Sequence, residues 1–331
     1  MLSKIFDCVN KMRPQLISYE VAKYNMYNYF AKSGLIDNPT NNPWIPTSIK
    51  TNIRKPNFIV GSKIDSKFAT HHTIQKAINS ACKVKNKSKR VFIKILPGIY
   101  TDVVYVPMDA PPITIYGSEN NVSEVKIQLT IDALYTPAEY AKTVNGANQF
   151  KPSDAAWYMY EACATLKSKK IDTSCSAVFW VQSDDFQLKN VTITNTLLDD
   201  GDYQAVALRT DGDKTQLENV RLIGRQDTFW VNSGDKALST NKQGAYSLTK
   251  ITRAYVKDTY IEGDIDFVMG RANAVFNKCI FKVVSTRNHL GIVFAPNTLF
   301  QNPYGFLVMN SILITDSGYN NLESKATLGR S

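Results

Sequence analysis

Two aspartates, Asp227 and Asp266, hold equivalent places in a repeated sequence pattern. Asp227 lies eight residues after Asn219, and Asp266 lies eight residues after Asp258. Asn219 and Asp258 are themselves the polar positions of two related strand-like segments, Leu217–Leu222 and Val256–Ile261. If the two units stack as neighbours, their backbones run about 4.8 Å apart. Carboxylates at such range cannot both ionise freely, so one pKa rises and the pair titrates as a unit. One member is then a charged nucleophile or base and the other a protonated acid. Ester cleavage and glycoside hydrolysis both fit such a pair; structural capping of turns is the competing reading.

The flanking residues add polar groups. Gln226 puts an amide beside Asp227 within Gly224-Arg225-Gln226-Asp227-Thr228-Phe229-Trp230. Asp266 lies between two glycines in Gly263-Asp264-Ile265-Asp266-Phe267-Val268-Met269-Gly270. Gln204, in Gln204-Ala205-Val206-Ala207-Leu208, offers another amide, either for chemistry or as a buried group bonded to a turn. No metal is indicated: His71 and His72 are adjacent, His289 is far away, and no cysteine pair has C-x-x-C spacing. A G-x-S-x-G elbow is absent, so a serine-hydrolase route to ester cleavage has no support.

The elements that would position these groups follow from the rest of the pattern. Residues 15–33 read as a helix ending at Gly34. Residues 37–57, with Pro39, Pro43, Pro46 and Pro56, read as an extended lead-in. Thr73 caps a short helix whose apolar face is Ile74, Ala77, Ile78, Ala81 and Cys82. From about residue 90 short β-rich runs take over and long helices cease. Four of them share one phase: Leu188–Ile193, Leu217–Leu222, Val256–Ile261 and Val308–Leu313. A fifth, Phe276–Phe281, keeps the alternation with Lys278 at the polar position. Turns of varying length between strands in constant phase suit a parallel β-helix, whereas a β-sandwich has no need of one recurring phase. The expected fold is therefore all-β, a right-handed parallel β-helix with short N-terminal helices. Residues 1–56 would be a helix and lead-in, and 57–331 the β-helix domain.

Charge and cysteines bound the setting. A net charge of +10 favours polyanionic partners such as nucleic acid, anionic lipid or an acidic polysaccharide, unless the charges are simply spread over a solvated surface. The run Lys83–Arg90 has no interleaved aromatic residues and reads as a loop after a helix, not as a nucleic-acid platform. No stretch approaches 18 uncharged apolar residues, so no transmembrane segment is expected. Asp7, Lys11 and Arg13 interrupt any signal-peptide core, so the protein stays in the cell or its targeting segment lies outside this chain. Cys163 and Cys175 flank a polar loop and would form a disulfide in an oxidising compartment, or remain two thiols otherwise. Cys82 and Cys279 read as core residues. Sequons at Asn86, Asn121 and Asn190 matter only in a eukaryotic secretory pathway.

Several separate motifs resemble those of the pectin methylesterases, carbohydrate esterase family 8. They are Gln204–Leu208, Gln226–Thr228, Gly263–Gly270 and Leu328–Arg330, in the family's order, with Pro97-Gly98-Ile99-Tyr100 fitting its early turn. The resemblance spans roughly residues 57–331 and is strongest to the bacterial-type branch, which Ala156–Tyr160 and Cys175–Trp180 also resemble. It implies methyl-esterified polygalacturonate as substrate, Asp266 as nucleophile, Asp227 as general acid and base, and Gln204 and Gln226 as oxyanion donors. It further implies Arg330 as the partner of Asp266, and Trp230 and Met269 flanking the sugar. The enzyme would be secreted, act as a monomer, bind no nucleic acid and need no cofactor. This sequence departs from the family at Met269, where an aromatic residue is common. It also ends just after Leu328-Gly329-Arg330, where the family continues, which leads us to expect a truncated C-terminus with Arg330 on a fraying end and apolar faces exposed. Two rival functions remain at this level: a non-catalytic polyuronate-binding protein, and a glycoside hydrolase of pectate.

Overall fold

The computed structural model describes residues 17–61, 67–119, 121–197, 204–232, 250–285, 287, 290–320 and 325–330. Two large sheets dominate, and every strand pairing in them is parallel. One holds seven strands: β1 (Val104–Val106), β2 (Phe179–Val181), β3 (Leu208–Thr210), β4 (Phe229–Val231), β5 (Val268–Gly270), β6 (Leu290–Pro296) and β7 (Lys325–Gly329). Their order across the sheet is their order along the chain. The second sheet, of 13 strands, follows the same rule through the segments at 58–60, 91–95, 113–116, 187–195, 215–223, 253–257, 273–277 and 306–309. From β1 onward the chain alternates between the sheets as it advances, and most passages lay one strand on the smaller sheet and a bent pair, or one long bent strand, on the larger. Between them lies a single apolar core that includes Ile93, Ile115, Leu188, Leu217, Val256 and Phe276.

The recurring polar position has a conformational cause. Asn190, Asn219, Asp258, Lys278 and Asn310 have φ of 59°, 52°, 50°, 57° and 51°. All five are left-handed corners at which the strand bends and its other half begins. Asn and Asp tolerate this region far better than most residues, which explains their recurrence there. Adjacent corners also bond: the Asn219 amide donates to Asn190 Oδ1 at 2.8 Å. Asn190 is 2% exposed, so its sequon is not a surface acceptor.

Three sequence expectations need correction. The helix over 15–33 is two short helices, α1 (Ser18–Lys23) and α2 (Met26–Phe30), with residues 15 and 16 outside the described set. Asn25 interrupts it, because its side chain accepts from the Asn28 N–H and starts a new helix. Gly34 does not end a helix; it lies in a strand, Lys32–Leu35, with φ of 85°. Helices are also not confined to the N-terminus. Beside α3 (Ile74–Ala81), which Thr73 caps as expected, stand α4 (Pro137–Asn145) and α5 (Trp157–Ala164). The signal for α4 was present as Thr136 and Glu139, which form a capping box around Pro137 at the first turn.

The two later helices build a second apolar cluster outside the first, from Tyr140, Phe150, Met159, Tyr160, Trp180 and Trp230 among others. Cys163 on α5 is bonded to Cys175, and both are buried in this cluster. The polar loop between them is mostly exposed, as its composition suggests. Cys82 and Cys279 are free and buried.

The N-terminal lead-in lies across the outer face of the larger sheet. Fully buried Arg253 donates to the carbonyls of Phe30 (3.1 Å) and Asn42 (2.6 Å) and pairs with Asp213 (2.6 Å). The Gln216 amide donates to the Thr47 carbonyl at 2.6 Å, and the Ile49 N–H donates to Glu218 at 2.9 Å. Each buried polar side chain here satisfies strap backbone that has no strand partner.

Candidate active site

The register of the seven-stranded sheet aligns the site. Phe229 pairs with Val268 and Trp230 with Met269, which carries Asp227 and Asp266 into the same row just before β4 and β5. Both are left-handed, with φ of 67° and 50°, at corners that turn the chain into those strands. Further along, Met269 pairs with Ala295. Phe294 pairs with Gly329, which brings Arg330 alongside. The Arg330 N–H donates to the Phe294 carbonyl at 3.0 Å, so its backbone is held as a strand continuation and not frayed.

A cavity of about 300 Å³ is lined by Gln204, Gln226, Asp227, Asp266, Met269, Ala295, Pro296, Asn297 and Arg330. Six of the seven expected catalytic and sugar-contacting residues therefore meet in one place. Trp230 is the exception. It stands one strand from Met269 but is only 8% exposed, and its ring lies 5.1 Å from the Arg209 guanidinium. Arg209 in turn stacks 4.2 Å from the Trp180 ring, so the three side chains form a buried sandwich. Asn297, Ala295 and Pro296 were not anticipated, since nothing in their local sequence marks them; the strand register alone delivers them.

The two carboxylates have opposite surroundings. Arg330 grips Asp266 with both arms of its guanidinium: Nε donates to Oδ1 at 2.8 Å, and Nη2 donates to Oδ2. This bidentate pairing is the strongest form of charge-assisted hydrogen bond available to a carboxylate. The pairing raises the Arg330 pKa, and the arginine side chain is still 59% exposed. Among the described residues, Asp227 has no such partner. Burial pushes its carboxyl well above the usual range, and the charges of Asp266, Asp264 and Asp172 add to the shift, while Arg330 opposes it.

That shift carries a stability prediction. Unfolded, Asp227 ionises near pH ~3.9; folded, it holds its proton to a higher pH. The proton linkage favours the fold below the unfolded pKa and fades as pH rises through the folded one. Asp227→Asn should therefore raise the melting temperature at neutral pH, with the gain vanishing below about pH 4. Melting curves of both proteins across that range check it; a constant difference at every pH would contradict the assigned burial cost.

Comparison with known proteins agrees with this geometry. The profile of the Pectinesterase family matches residues 161–331. Pectinesterase B of Dickeya dadantii is 47% identical over 322 residues, covering 96% of this chain and 73% of that protein. Among solved structures, rice weevil pectin methyl esterase has a TM-score of 0.79 at 36% identity, covering 96% of this chain and 76% of the other. Escherichia coli YbhC has a TM-score of 0.82 at 39% identity, covering 92% and 74%. YbhC is provisionally named an acyl-CoA thioester hydrolase. These likenesses place the chain among the carboxylic ester hydrolases. Within them it belongs to the pectinesterase family.

Proposed function

We propose that the chain hydrolyses methyl esters of polygalacturonate, with Asp266 as nucleophile and Asp227 as the acid that becomes a base. The Asp266 carboxylate attacks the ester carbonyl carbon, and the tetrahedral oxyanion accepts hydrogen bonds from the Gln204 and Gln226 amides. Collapse breaks the bond to the methoxy oxygen, which takes the proton of Asp227 and leaves as methanol. Asp227, now ionised, removes a proton from water, which attacks the acyl-enzyme and frees the galacturonate carboxylate together with Asp266. The observation that carries this reading is one cavity holding two carboxylates in unlike surroundings, Asp266 clamped by Arg330 and Asp227 with a pKa raised chiefly by burial.

Met269, half-buried on the cavity wall, would bear against the sugar, with Trp230 behind it. The sheets support a right-handed parallel β-helix: strand order follows chain order in both, corners are left-handed residues, and parallel crossovers are right-handed almost without exception. On this reading residues 57–331 are the catalytic domain, preceded over 1–56 by an N-terminal helical and extended lead-in. Secretion is supported by the Cys163–Cys175 disulfide and by an extracellular substrate.

The test is methanol release from highly methylated pectin, with reducing ends and acyl-CoA thioester cleavage followed in parallel. Methanol without new reducing ends is the expected result. New reducing ends would mean a glycoside hydrolase. Thioester cleavage alone would shift the assignment toward the activity named for YbhC, and pectate binding without turnover would leave a polyuronate-binding protein.

A further inference from the structure

We propose that Asp264 is a positioning residue: it holds the Gln226–Asp227 turn in place from the neighbouring repeat and acts on the reaction through that turn. This rests on the roles assigned above to Gln226 and Asp227.

The turn needs an external hold. Gln226 and Asp227 have φ of 35° and 67°, two left-handed residues in succession. Single residues visit this region, but consecutive non-glycine residues there are strained and persist only where their surroundings over-determine them. Asp264 supplies that determination. It is 1% exposed, and its Oδ1 accepts the Gln226 N–H at 2.6 Å and the Ile265 N–H at 2.8 Å. The next carbonyl, of Ile265, accepts the Asp227 N–H at 3.2 Å. Two further bonds fix the ends of the turn on the same repeat. The Gly224 N–H donates to the Glu262 carbonyl at 3.3 Å, and the Thr228 hydroxyl donates to that carbonyl at 3.0 Å. Bonds to a carboxylate are roughly twice as strong as neutral ones, so Asp264 is the stiffest of these contacts.

Its second oxygen is held as well. Arg287, whose side chain is 4% exposed, donates from Nε to Asp264 Oδ2 at 2.9 Å. Among the described residues, Arg225 and Lys282 both pair with Glu262, at 3.3 Å and 3.4 Å. The charges acting on Asp227 are therefore Asp266, Asp264 and Asp172 on one side and Arg330 on the other. Behind burial and Asp266, Asp264 thus adds to the rise in the Asp227 pKa as well as holding its turn, and Arg287 sits on Asp264 to oppose that contribution.

A merely structural carboxylate would change rate or stability without moving the acid's ionisation. The experiment is the pH profile of kcat/KM on methylated pectin, whose alkaline limb reports the acid in the free enzyme. The full chain is compared with Asp264→Asn and Arg287→Gln. Asp264→Asn should lower kcat about tenfold to hundredfold through misplacement of the turn, with KM little changed. Its alkaline limb should move to lower pH, because a negative neighbour of Asp227 is lost. Arg287→Gln should move the limb to higher pH, because Asp264 then acts uncompensated. Limbs that stay put, or shift in the same direction in both variants, overturn the inference, as does a wild-type profile for Asp264→Asn. If Asp264→Asn does not fold, the direction given by Arg287→Gln decides. If the parent releases no methanol, the esterase reading fails separately. The inference is then read from melting: Asp264→Asn must bring the stability loss caused by Asp227 ionisation to lower pH, and an unmoved transition overturns it.

Discussion

Replacing Asp266 by alanine should lower methanol release by at least about 10⁴-fold, the scale expected for loss of the covalent nucleophile proposed above. The fold should survive. The orphaned partner, Arg330, is 59% exposed and can be solvated where it stands, so no buried cation is stranded. Loss of the Asp266 charge also removes one of the repulsions acting on Asp227. The opposing cost is the left-handed backbone at φ of 50°, which disfavours alanine by about 1–2 kcal/mol. Asp266→Asn avoids that cost and serves as the matched control, since asparagine tolerates the same region. Both variants should be inactive, with the melting temperature of Asp266→Asn within about 5 °C of the parent. Retained activity in either would remove Asp266 from the mechanism. A cooperative melt lost in both would show that the pair with Arg330 is chiefly structural.

Gly270→Ala should destabilise the protein by about 3 kcal/mol or more and abolish activity with it. Gly270 has φ of 125°, where a side chain is strained whatever the space around it. Here there is no space either. A Cβ would overlap the Val231 carbonyl oxygen and approach its carbon to 2.6 Å and its nitrogen to 2.9 Å. These atoms belong to the adjacent strand and cannot rotate away. The Val231 carbonyl also accepts the Arg271 N–H at 3.0 Å, so the clash would unpick β4 from β5 at the strand that carries Met269. Gly305→Ala provides the contrast: its nearest obstacle is the Thr298 hydroxyl at 2.9 Å, a side chain that can move. Urea melts of the two variants check the argument. Equal midpoints would show that backbone contact between neighbouring strands is not the limiting constraint.

Much of this fold is visible in the sequence for a local reason. Left-handed corners select Asn and Asp, so the positions of Asn190, Asn219, Asp258 and Asn310 announce the repeat, and Lys278 fits through its phase. The same phase announces Asp227 and Asp266 as equivalent places, and the strand register puts them in one row. Other features have local signals that a β-rich reading passes over, such as the capping box at Thr136 and the asparagine cap at Asn25.

What the chain alone determined is the periodic part: strand phase, corner residues, the short helix after Thr73, and the motifs that mark the family. Each follows from conformational preferences of residues within a few positions of one another. Only the tertiary structure decided which groups share a cavity and which partners each meets there. Asn297 enters the site through strand pairing, Arg209 withdraws Trp230 into a buried stack, and Asp264 reaches the turn at Gln226 across 38 residues. The chain also leaves open which of two equivalent aspartates, both buried in the fold, is paired. That difference comes from Arg330, which meets Asp266 across 64 residues because parallel strands in fixed register bring their equivalent ends together.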